Sequence, residues 1–380
     1  MQTNEERKRG EILLTPGPLT TSVTVRKALN RDIGSRDKTF IEMTARVRSK
    51  LCKLAGAEEG YNCIPIQGSG TFAVEATLGT LLPRRMGKCL ILINGVYGER
   101  MAKICDYLGR AYEVYKTPED IQPDPCEIAS RLEANTDITH VAVVHCETTS
   151  GILNPIENIA SIVRNAKREM IIDAMSSFGA LKINLKKIPA TALISSSNKC
   201  LQSVPGIAYA IIKTNILNTT AGNANSLCLD LHDQAKYLDK TGQWRFTPPT
   251  HVLAALDQAL VELENEGGVS ARETRYQANC NQLVDGLRLL GFNLFLSKMQ
   301  QSPIIVTVRF PKNPNFDFEM MYEALRKKGV ILYPGAVTQE KTFRIGCIGD
   351  INKTDIDRAL SEISIYLASI GLNSKNLNRT

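Results

Sequence analysis

The sequence predicts an α/β protein: a large domain on a mostly parallel sheet, then a small C-terminal α+β domain. Three observations lead there. Short apolar runs alternate with amphipathic segments through most of the chain, the signature of strand–helix crossovers. A long helical stretch then begins at His251 and is interrupted at Gly267-Gly268. Beyond it, short strands mix with two helices. A length of 380 residues suits two domains at roughly 100–200 residues each.

Taken in order, residues 1–20 are read as an N-terminal arm packing with the small domain. Residues 21–265 form the large domain. Within it Cys89–Ile93, Thr139–Val144, Met170–Ile172, Ala192–Ile194 and Ala208–Ile212 read as buried strands, because they are short, apolar and rich in β-branched residues. Phe72–Leu82, Gly98–Leu108 and Ile156–Arg168 read as the helices between them. Residues 266–380 form the small domain. Its helices are expected near Ser270–Leu290, Phe318–Lys328 and Thr354–Ser369, and its strands at Phe292–Leu296, Ile304–Arg309, Val330–Tyr333 and Thr342–Cys347.

Composition excludes several classes. Hydrophobic residues make up 43% of the chain and charged residues 22%, as in ordinary globular proteins. The net charge of +7 is spread over interleaved acidic and basic residues, and aromatics are sparse at 6%, which argues against nucleic-acid binding. The ten cysteines form no CxxC pair and there are four histidines, so neither a metal site nor a disulfide framework is expected. Reduced thiols and the polar start, with no signal peptide, point to the cytoplasm. No apolar run approaches the roughly 18 residues of a membrane helix.

Three motifs carry chemistry. In Ser195-Ser196-Ser197-Asn198-Lys199 a lysine stands at a strand end among small polar residues. Desolvation there would lower its pKa and make it a nucleophile toward an aldehyde. In Ile171-Ile172-Asp173 an acid closes a buried parallel strand, where α/β proteins keep functional groups. Gln67-Gly68-Ser69-Gly70-Thr71 opens a helix, and free N–H groups at a helix start suit a phosphate. No Gly-Lys-Ser/Thr follows, so this is no P-loop. Alone, each motif has a plainer meaning: a solvated lysine, an Asp capping the next helix, a Ser/Thr cap.

Their order, together with longer stretches, resembles a known family. These stretches are Leu14-Thr15-Pro16-Gly17-Pro18, Gly34-Ser35-Arg36-Asp37, Asn94-Gly95-Val96-Tyr97-Gly98-Glu99-Arg100, His145-Cys146-Glu147-Thr148-Thr149-Ser150-Gly151, Asp173-Ala174-Met175-Ser176-Ser177, Asn198-Lys199-Cys200, Trp244-Arg245-Phe246-Thr247-Pro248-Pro249 and Phe343-Arg344-Ile345-Gly346. The chain resembles the class V aminotransferases, which are fold-type I enzymes dependent on pyridoxal 5′-phosphate (PLP). Within them it resembles those that transfer the amino group of 2-aminoethylphosphonate to pyruvate.

The resemblance implies roles. Lys199 would hold the cofactor and move the proton, and Asp173 would pair with the pyridine nitrogen. Tyr97 would stack on the ring, with Thr148 near its hydroxyl. Ser69, Gly70, Thr71 and Ser196 would bind the phosphate, and Thr247 would reach the phosphate of the other subunit in a homodimer. Arg344 would anchor the substrate's acidic group, with Arg36 as a second candidate. One departure stands out: Tyr333-Pro334-Gly335 is followed by Ala336, where the family often has a basic residue. The rivals are alanine–glyoxylate or serine–pyruvate aminotransferases and a PLP-dependent lyase acting on an aminophosphonate. From a different class, a catalytically silent PLP-binding protein is disfavoured by the intact Lys199 and Asp173.

Overall fold

The computed structural model describes residues 11–335, 337 and 340–379. Ala336 lies outside them, as do the first ten residues of the arm. The centre of the fold is a seven-stranded sheet. From one edge its order is Tyr61–Gly68, Gly206–Lys213, Ala192–Ser196, Glu169–Asp173, Ile138–Val144, Lys88–Ile93 and Tyr112–Lys116. Gly206–Lys213 runs antiparallel to both of its neighbours, and the other inter-strand pairs are parallel. The C-terminal ends of the parallel strands therefore open on one side. That side carries Asp173 and Ser196, with Gly68 at the end of the edge strand.

The sheet is buried on both faces, and strand residues alternate between two cores. Leu90, Leu92, Val141, Val143 and Ile172 pack on one face, with Phe40, Val47 and Leu51 of helix Lys38–Leu54. Cys89, Ile91, Ile93, Ala142 and Ile171 pack on the other, with Ala73, Val74 and Leu78 of helix Gly70–Leu81. Each fully buried Leu, Ile or Val contributes about 1.5–3 kcal/mol, so these runs settle the register.

Helix Thr250–Glu266 ends at Gly267, which has a φ of 108°, and helix Gly268–Leu289 follows directly. The C-terminal part pairs Ile305–Arg309 with Thr342–Gly346 antiparallel, covered by Phe318–Lys327 and Lys353–Ser369. Ile12 and Leu13 of the arm pair in parallel with Val330 and Ile331. Ile12 and Leu14 join the same core as Phe343 and Ile363.

The observed elements depart from expectation in a few places. Phe292–Leu296 shrinks to a single bridge, Leu294 to Val308, flanked by the Phe295 N–H bond to Thr307 O and the Arg309 N–H bond to Asn293 O. Ile156–Asn165 ends three residues before Arg168, at a turn where Lys167 has a φ of 57°. Both edge strands, Tyr61–Gly68 and Tyr112–Lys116, were unforeseen.

Candidate active site

The lysine motif leaves strand Ala192–Ser196 as a tight turn. Ser197 N–H donates to Ile207 O at 3.0 Å, and Gln202 N–H donates to Lys199 O at 2.8 Å. The turn aims the Lys199 side chain back toward the sheet end. Its Nζ donates to Pro16 O at 2.9 Å and to Gly17 O at 3.3 Å. Gly17 has a φ of 110°, and a Cβ there would stand 2.6 Å from Lys199 Cδ. Glycine is thus required both by the backbone and by the close approach. Lys199 as a whole is half-buried. Burial pushes its pKa down to about 8, against the opposing pull of nearby Asp173.

Asp173 ends strand Glu169–Asp173 and is 5% exposed. Its Oδ1 accepts the Met175 N–H at 2.8 Å. Burial pushes its carboxyl up to about 6, while the Met175 bond and Lys199 pull it down.

Around this pair the chain brings together several other expected residues. Thr148 is fully buried, and its hydroxyl lies near the Tyr97 phenol without completing a hydrogen bond to any described residue. Its carbonyl accepts a 2.6 Å bond from the Arg344 guanidinium. Arg344 is 8% exposed. It also donates to Gly335 O at 3.2 Å and lies 4.8 Å above the Tyr333 ring. Its hydrogen bonds run to backbone carbonyls, and it forms no ion pair with any described carboxylate. Tyr97 lies in the first turn of helix Val96–Leu108, and burial raises its phenol pKa. Arg100 covers one face of the Tyr97 ring at 4.9 Å and donates to Thr71 Oγ1 at 3.3 Å.

Ser69 occupies the N-cap position of helix Gly70–Leu81 but makes no side-chain capping bond. Its hydroxyl and the first N–H groups are thus left to another acceptor or donor. Ser196 is buried and donates to Asn198 Oδ1 at 3.0 Å. Two expected residues are not drawn in. Thr247 is exposed, next to Phe246, which lines a surface cavity with Gln67 and Phe72. Arg36 is exposed on the turn before Asp37, the N-cap of helix Lys38–Leu54, and makes no hydrogen bond to the groups around Lys199.

Sequence reasoning passed over Glu147. It is fully buried, and its carboxyl is pushed up to about 7 by burial. It lies inside a quoted motif, but beyond Thr149 its partners are some fifty positions away, and no local signal marks it. Among described residues Asp230, His232 and Asp233 lie close enough to share a cation. There Asp230 is already used as the N-cap of helix Leu231–Thr241.

The family model for class-V aminotransferases matches residues 22–358. The chain belongs to the class-V aminotransferases. It is 50% identical over 363 residues to a 2-aminoethylphosphonate–pyruvate transaminase of Pseudomonas aeruginosa, covering 96% of this chain and 98% of that one. A Pseudomonas fluorescens protein of the same name is 50% identical over 356 residues, 94% and 96% of the two chains. Among solved structures, pyridoxamine–pyruvate aminotransferase from Mesorhizobium loti superposes with a TM-score of 0.86 at 25% identity, covering 98% and 95%. Alanine–glyoxylate aminotransferase from Nostoc gives 0.87 at 23% identity, covering 97% and 98%. The fold of the class-V aminotransferases is thus shared almost end to end.

Proposed function

We propose that the protein transfers the amino group of 2-aminoethylphosphonate to pyruvate, giving phosphonoacetaldehyde and L-alanine, with PLP held at Lys199. The observation that carries this reading is the Lys199 amine, held by the Pro16 and Gly17 carbonyls and brought down to a pKa of about 8, with the buried Asp173 near it. It stands in a chain half identical to transaminases of that name over nearly its whole length.

The residues fit the cofactor. The orphaned Thr148 hydroxyl suits the ring hydroxyl, and Tyr97 suits the ring face. Ser69, Gly70, Thr71 and Ser196 offer hydroxyls and a helix N-terminus for the phosphate. When bound, PLP supplies an electron-withdrawing ring that takes up the charge left on deprotonation. Asp173 would hold the ring nitrogen protonated. Lys199 Nζ would remove the proton from the amine-bearing carbon and return it one position along the cofactor. Arg344, with no carboxylate partner among the described residues, would grip the phosphonate of the donor and then the carboxylate of pyruvate. A guanidinium fork matches either anion.

Two further features support a homodimer. Phe72 and Phe246 are large hydrophobics left 50% and 44% exposed, and Thr247 stands beside them facing outward. A second copy would cover this patch and receive Thr247 at its phosphate site, the closed two-fold arrangement commonest among oligomers. All ten cysteines are unpaired, which supports a cytoplasmic location, and among described residues no helix is long and apolar enough to cross a membrane.

The test is a panel of amines, each incubated with pyruvate while alanine is measured. Alanine should form from 2-aminoethylphosphonate. Alanine formed only from ordinary amino acids would move the protein to another substrate group of the same family.

A further inference from the structure

Helix Val96–Leu108 begins at Gly95, which has no side chain to cap it. The first N–H groups of a helix need acceptors, usually a Ser, Thr, Asp or Asn at the N-cap itself. Here the acceptors come from another part of the chain. Val96 N–H donates to Thr149 Oγ1 at 3.2 Å. Tyr97 N–H and Gly98 N–H donate to Glu147 Oε2 at 3.2 and 3.4 Å. The other carboxylate oxygen, Oε1, accepts the Thr149 hydroxyl at 2.7 Å and the Thr149 N–H at 3.3 Å.

Gly95 makes room for this clamp: a Cβ there would lie 2.2 Å from Glu147 Cγ. One buried carboxylate therefore ties the helix start that carries Tyr97 to the turn that carries Thr148. That same turn holds Arg344 through the Thr148 carbonyl. No described cation pairs with the carboxylate, so the interactions that keep it in place are these donors.

We propose that Glu147 is a positioning residue for the cofactor: it sets the Tyr97 ring and the Thr148 hydroxyl in register with one another. This rests on the reading of Tyr97 and Thr148 as cofactor contacts. Replacing the carboxylate by an amide points an NH2 group at backbone N–H groups, either at the helix start or at Thr149. The helix start and the turn then lose their common acceptor, while size and shape are kept.

The test is PLP titrated into the cofactor-free protein, followed by the visible circular dichroism of the bound cofactor. Glu147→Gln is expected to weaken PLP binding by about tenfold, the scale of one charged hydrogen bond, and to change the dichroic band. Tyr97→Ala should weaken binding as well, and the double variant should bind no worse than the weaker single one, since coupled residues are not additive. A Glu147→Gln protein that melts earlier but binds PLP with unchanged affinity and band would overturn the proposal, because the role would then be structural. Losses that multiply in the double variant would overturn it too.

Should Glu147→Gln not fold, Thr149→Val removes the hydroxyl that holds Oε1. It should shift affinity and band in the same direction by a smaller factor, and no shift would sink the idea. Failure of the underlying reading looks different. The wild-type protein itself would then take up no PLP at Lys199, and the proposal would fall with it.

Discussion

The floor of the site and its rim are built differently. On the floor Lys199, Asp173 and Glu147 are surrounded by their own chain. Lys199 is held by two backbone carbonyls, Asp173 by a backbone N–H and Glu147 by four donors. On the rim Ser69, Thr247 and Arg36 are exposed. The floor's electrostatics exist before any ligand arrives, because burial is the largest influence on the pKa of all three groups and outweighs the neighbours that oppose it. The rim depends on something supplied from outside: a phosphate, a substrate or a second subunit.

The largest effect should come from breaking the floor. Lys199→Ala should lower turnover by about a thousandfold or more, since both the attachment point and the positioned base are lost. Borohydride reduction should label a wild-type peptide containing Lys199 and none in the variant. In the wild type, capture of PLP needs the neutral amine. Its rate should rise with pH through about 8, well below the roughly 10.4 of a free lysine. A label on a different lysine, or a midpoint near 10, would put the chemistry elsewhere.

Arg344 joins floor to rim, and its replacement should cost less. Arg344→Lys keeps the charge but loses the fork, so both 2-aminoethylphosphonate and pyruvate should bind about tenfold more weakly, with PLP retained. Separate steady-state measurements on the two substrates check this. If pyruvate alone suffers, the phosphonate has its own anchor on the rim, and Arg36 is the first residue to change.

The smallest effect sharpens the rim. Thr247→Ala and Lys199→Ala subunits, mixed and allowed to exchange, should gain up to about a quarter of wild-type activity over the unexchanged mixture, the more so the less active Thr247→Ala is alone. Half the dimers are then mixed, and each carries one intact site. No recovery with exchange confirmed would mean that both residues serve the site of one subunit.

What the sequence revealed follows the same division. The central strands were legible because they are buried on both faces and read as unbroken apolar runs, as in Ile138–Val144. The edge strands were not. Tyr61–Gly68 contains Pro65 and the polar Asn62 and Gln67. Pro65 is tolerated because this strand has a neighbour on one side only. Tyr112–Lys116 alternates its side chains and stays half-exposed. Lys199 and Asp173 were legible because their strands announce them. Glu147 reaches Tyr97 and Gly98, and Arg100 reaches Thr71, only because the fold brings them near, and Thr247 faces a surface that one chain leaves open.

The arm has a consequence for how the protein is made. Pro16 and Gly17 close over the Lys199 amine, while Ile12 and Leu13, a few residues earlier, are held by Val330 and Ile331 near the other end of the chain. During synthesis the arm leaves the ribosome long before the strand it pairs with. The sheet and its lysine can form while translation proceeds, yet the lid over the lysine is fastened only after Val330 has emerged. Enzyme competence therefore depends on an early segment waiting for a late one.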